Sequence, residues 1–133
     1  MANGKIKADT LEHSTAGSLD TKFVVNGSAK VWLNLNGTGT IAVRDSFNVS
    51  GVVDNGTGNY TTSFTSSFDD ANYSHAHTNI SQDNQFSQTN NTNFVQAAGS
   101  IQQRNGYWSG VSGENGSSGD SLYFYIQEFG DLA

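Results

Sequence analysis

Two histidines one residue apart, His75 and His77, are the most chemically suggestive pair in the chain. On a strand, side chains at i and i+2 leave the same face, so both imidazoles would stand beside Tyr73 and Asn79, with Ala76 and Ile80 on the opposite, core-like face. Three copies meeting at a threefold axis would then offer a ring of neutral imidazoles suited to an octahedral transition metal. The plainer reading makes Tyr73, His75, His77 and Asn79 the wet face of an outer strand. Asp69-Asp70 is an adjacent carboxylate pair of the kind a glycosidase needs around a scissile bond, although such a pair in a polar turn ordinarily just shapes the turn. Tyr107 and Trp108 follow Asn105-Gly106, a turn signal, and precede a Gly/Ser-rich stretch. Aromatic faces with polar neighbours on an exposed loop suit a sugar, so Tyr107, Trp108 and Asn105 are the candidate ligand-binding residues. Trp32 lies within a regular alternating run and reads instead as an interface or second-sheet residue.

Catalysis finds little further support. The chain has no Cys and three His, and no Gly-rich loop opens a helix, so the expectation is a protein that binds rather than reacts. A formal charge of −6, with six Lys and Arg in all, argues against nucleic acid and anionic membranes as partners. No apolar run approaches the roughly 20 residues of a membrane span, and none follows Met1 to Lys7, so cytoplasmic synthesis without membrane insertion is expected. At 133 residues and 35% hydrophobic content, one domain is short of core material. With no disulfide available, burial against copies of itself is the leading remedy.

The elements that must position these residues read as strands. Lys30 to Leu35 alternates, turns at Asn36-Gly37 and returns over Thr38 to Arg44, and Asn-Gly between such runs is a strong hairpin signal. Phe47 to Val53 and Asn59 to Phe68 make a second hairpin around residues 54–58. A strand is expected from Tyr73 to Ile80, then a polar stretch over 81–93 that is either a long loop or a weak edge pair. Gly99 to Arg104, a turn at Asn105-Gly106, Tyr107 to Val111, and Ser121 to Phe129 complete the set. The last run puts Leu122, Phe124 and Ile126 on one face and Tyr123, Tyr125 and Phe129 on the other, so both its faces are apolar. Such a strand is either central between two sheets or buried between subunits. Residues 1–29 read as an extended arm whose apolar residues Ile6, Leu11 and Phe23 would attach it to another protein.

From about Val25 the chain resembles a module at the ends of tail-fibre and related appendage proteins of marine phages, cyanophages among them. The resemblance sits in Asn26-Gly27-Ser28-Ala29-Lys30-Val31-Trp32-Leu33-Asn34-Leu35-Asn36-Gly37-Thr38-Gly39-Thr40, in Ile41 to Ser50, in Asp54-Asn55-Gly56-Thr57-Gly58-Asn59-Tyr60-Thr61, and in the closing Glu128-Phe129-Gly130-Asp131-Leu132-Ala133. It implies a trimeric virion appendage with its variable region exposed, and it implies no catalytic residue. Residues 73–120 depart most from the pattern, which leaves the target of this copy open.

The combined expectation is an all-β, antiparallel β-sandwich-like domain over 30–133, with a 1–29 attachment arm, assembled as a homotrimer on the virion surface. Its partners would be itself, a tail or capsid protein, and a host-surface glycan. The alternative role is capsid decoration or cement. The only cofactor considered is the threefold transition metal on His75 and His77.

Overall fold

A computed structural model of the chain describes residues 7–80, 86–89, 94–108 and 117–133. Two antiparallel sheets carry the core. One has β4 (Ala42–Phe47), β3 (Val31–Asn36), β12 (Tyr123–Phe129) and β7 (Ser74–Ile80) side by side in that order. The other runs β11 (Ser117–Ser118), β10 (Ser100–Trp108), β6 (Asn59–Phe64), β5 (Val49–Asp54), with β8 (Phe86–Thr89) and β9 (Val95–Ala97) also paired to β10.

Alternation fixes which side chains face inward. Val31, Leu33 and Leu35 of β3 and Phe124 and Ile126 of β12 are buried from one sheet, and Tyr60, Phe64 and Ile101 meet them from the other. Tyr60 reaches Phe124 across the gap with ring centroids 5.5 Å apart. Phe64, Phe68 and Tyr73 form an aromatic cluster at one end, Phe68 and Tyr73 stacking at 4.2 Å. The all-β expectation holds, and both hairpins pair: Trp32 with Phe47 and Asn36 with Ala42 in the first, Asp54 with Tyr60 in the second. Asn36-Gly37 is not the turn of the first, however: Asn36 ends β3, neither residue has positive φ, and residues 37–41 make the connection, where Gly39 stands at φ 63.

Between these hairpins the chain changes sheets at Asn48, a non-glycine residue at φ 56. Its side chain makes the corner possible, since Oδ1 accepts from Ser66 N at 2.7 Å and Nδ2 donates to Ser66 O at 3.0 Å.

Two further local expectations change. Asn105-Gly106 is no turn: β10 runs straight through it, because Asn105 and Gly106 pair with Thr89 and Gln88 of β8 rather than closing a hairpin on themselves. The arm is folded rather than extended. β1 (Thr10–His13) pairs with β2 (Gly17–Asp20), and α1 (Thr21–Gly27) follows. His13 Nδ1 organises the tight connection by accepting from Ala16 N at 3.1 Å, and Gly17 supplies φ 90.

Candidate interaction surfaces and a buried polar seam

The arm displays its apolar residues instead of burying them. Leu11 and Leu19 are directly paired across the hairpin and stay 49% and 46% exposed, while Phe23, Val24 and Val25 on α1 are 58%, 43% and 59% exposed. No residue of α1 is buried. Lys7, Ala8, Leu11, Thr21, Val24 and Val25 line a shallow depression of about 300 Å³. Leu11 and Phe23 therefore lie open on the arm, and Ile6 lies outside the described residues.

The proposed sugar-binding trio is not a loop tip. Asn105 is 1% exposed, its backbone N donates to Gly58 O at 2.7 Å, and its amide lies 3.4 Å from Ser121 Oγ, so a ligand cannot reach it. The backbones of Tyr107 and Trp108 sit in β10 opposite Ser87 and Phe86, and their side chains fall outside the described part.

The two histidines face the reverse of the expected direction. Alternation along β7 turns His75, His77 and Asn79 inward, with Asn79 8% exposed, and sends Ala76, Thr78 and Ile80 outward, Ile80 being 53% exposed. The reason lies across the strand pair. His75 sits opposite Glu128, which is completely buried, and its Nδ1 is 2.8 Å from Glu128 Oε1. His75 Nε2 meets Gln103 Nε2 from the opposing sheet. Nδ1 can donate to the carboxylate while Nε2 accepts from the Gln103 amide, so one imidazole joins both sheets. His77 stacks on His75 at 5.7 Å with the rings 6° from parallel.

The seam is electrostatically strained. Burial raises the Glu128 carboxyl above its ordinary value, and the hydrogen bond from His75 only partly offsets this. Its Oε2 accepts no hydrogen bond among the described residues. Burial, and then the neighbouring His75, lower His77. Both nitrogens of His75 are thus engaged within the chain, and a metal there would have to displace Glu128 or Gln103. Among the described residues no group of three or more His, Cys, Asp and Glu is placed to hold a metal ion.

Asp69 and Asp70 border a depression of about 440 Å³ together with Asn72, Tyr73 and Asp131. Asp70 accepts from Asn72 N at 2.7 Å and from its Nδ2 at 2.9 Å, and these bonds lower its pKa. That tuning favours a permanent carboxylate and opposes the proton donation a glycosidase acid must perform.

A surface that single residues did not signal is the outer face of the four-stranded sheet. Trp32, Tyr123, Tyr125 and Phe129 are half-buried on it, and Phe47 is 53% exposed. Tyr123 and Tyr125 stack at 6.0 Å, and the Arg44 guanidinium lies 4.3 Å above the Tyr123 ring. The two apolar faces of the final run were the sequence signal for it, since β12 is central in its sheet with one face in the core and the other outside. No protein-family model, curated protein or solved structure matches the chain.

Proposed function

We propose that the chain is a structural protein of a phage virion, a short tail-fibre-like or knob module. It assembles with copies of itself, is held to another virion protein by its arm, and turns its other end toward a host-surface glycan. The observation that carries this reading is the arm, a hairpin and helix that form without burying their own apolar residues. Five exposed aliphatic and aromatic side chains on so short a segment suit a surface that is covered in use.

The layout of the sandwich gives that reading two ends. The arm enters β3 at Lys30, whose N donates to Glu128 O at 2.8 Å. At the far end of β3, Gly37 N donates to Ser121 O at 2.9 Å and Gly58 N to Asp120 Oδ1 at 2.7 Å, tying three connecting segments into one cluster. That arrangement suits an attached end at the arm and a presented end at the cluster. Capsid decoration would use the same arm, and labelling the chain in intact particles separates tail from shell.

The test is the double variant Leu11→Asp with Phe23→Asp. Both side chains are exposed, so the purified protein should melt and sediment as the wild type does while particles made with it lack the chain. Normal incorporation overturns the attachment role.

A further inference from the structure

The outer face of the four-stranded sheet repeats its bulk in a pattern that matches itself. Read across β4, β3, β12 and β7, one row is Phe47, Trp32, Gln127 and Ala76. The next is Asp45, Asn34, Tyr125 and Thr78. One step further, Ala42 pairs with Asn36 while Tyr123 pairs with Ile80. The first row is therefore large on the β4 side and small on the β7 side, and the last row is the reverse. A half-turn about an axis running along the strands exchanges β4 with β7 and β3 with β12 while keeping each row at its level. Phe47 of one copy then lies over Ala76 of the other, Trp32 over Gln127, and Ala42 and Asn36 over Ile80 and Tyr123. Large meets small along the first and last rows, as packed sheet faces require.

Charge follows the same symmetry. Arg44 reaches across β3, holding its guanidinium over Tyr123 and donating from Nη1 to Leu122 O at 2.6 Å. The half-turn sets Asp45 of the second copy above Thr78, on the strand beside that guanidinium, and does so twice. In a chain of formal charge −6, this face offers one cation and one anion, so copies can meet here with the least repulsion.

We propose that this face is the contact between two copies of the chain, related by a twofold axis along the strands. The proposal rests on the self-assembly put forward above and puts a twofold pair in place of the threefold assembly expected from the sequence. A contact in which each copy uses the same patch builds even numbers, whereas a closed threefold ring needs two different patches. Strand spacing of about 4.8 Å and a rise of about 3.3 Å per residue make a face of roughly 400 Å² in plane. That is small beside the roughly 800 Å² per partner of a standard interface, so the pair is reversible and sensitive to dilution. Copies held side by side by their arms would meet at a far higher effective concentration.

The absence of cysteine makes the test clean. One preparation carries Phe47→Cys and a second carries Ala76→Cys, and wild-type chain is sedimented alongside over a concentration series. Facing sheets pack about 10 Å apart, beyond the roughly 7 Å a disulfide spans between Cα atoms, so the two are mixed and treated with a bifunctional thiol reagent whose spacer is about 5 Å. The mixture should yield a cross-linked dimer, while each alone should not, because equal positions lie about a further 14 Å apart across the sheet. Ala76→Phe should weaken association by about tenfold, and adding Phe47→Ala should restore it. A self-associating wild type whose mixture gives no 47–76 link overturns this contact and leaves self-assembly standing. A wild type that stays monomeric throughout overturns both.

Discussion

Glu128 is a carboxylate held where a carboxylate is disfavoured, and one imidazole keeps it there. It is completely buried with His75 on one oxygen, and desolvation is the largest influence on it. Because its folded pKa is raised above the unfolded value, the stability linked to its proton is present at low pH and is lost as pH rises through the raised value. His77 works in the other direction. Its folded pKa is lowered, so its contribution is present above the ordinary imidazole value of about 6.5 and is lost as pH falls through it. Glu128→Gln keeps an acceptor for His75 Nδ1 and removes the ionisable group. Thermal melts between about pH 4 and 8 should show this variant gaining on the wild type as pH rises, and His77→Gln flattening the loss below about 6.5. A Glu128→Gln protein that falls further behind as pH rises would mean that the ionised carboxylate is favoured in the fold, contrary to its burial.

At the scale of elements, what was legible were the segments whose partners are close in sequence. The two hairpins follow from alternating runs separated by short connections, the first closing over residues 37–41 rather than at Asn36-Gly37 and the second at Asp54-Asn55-Gly56. The turn of the second is locked by Gly58. That residue stands at φ 66, accepts from Asn105 N at 2.7 Å, and has no room for a Cβ against Gly119 O and Asn105 O. Gly58→Ala should therefore cost at least about 2 kcal/mol, read as a fall in denaturant midpoint at unchanged slope, and a loss within about 0.5 kcal/mol would show that the turn can relax. Where partners are distant the sequence misleads. Asn105-Gly106 carries the same turn signal, yet β10 finds its partners in β6, β8, β9 and β11, so the dipeptide stays extended. The histidines of β7 look like a wet face because the residues that make their burial tolerable, Gln103 and Glu128, lie 28 and 53 positions away. Polarity predicts a strand's exposed face only when no buried polar partner awaits it, and nothing local to Tyr73 to Ile80 announces one. The arm was legible as apolar residues without a core, but its hairpin was not, since it depends on His13 accepting backbone N–H groups at the connection.

For the whole molecule, the balance between an acidic chain and a near-neutral contact face fixes how assembly responds to salt. Each copy carries a formal charge of −6, so two copies approaching repel at long range whatever their faces offer at contact. The face-to-face pair is held by aromatic and aliphatic packing around Trp32, Phe47 and Tyr125, which salt does not weaken, while Arg44 and Asp45 are exposed, where charge contacts contribute little. Screening therefore acts mainly on the repulsion. Raising ionic strength from about 0.01 M to 0.15 M shortens the Debye length from roughly 30 Å to 8 Å, which removes the repulsion between the bodies of the two copies but leaves the contact intact. Sedimentation equilibrium across that range should show association strengthening with salt. Association that weakens as salt rises would place charge pairing, rather than the packed sheet faces, at the centre of the assembly.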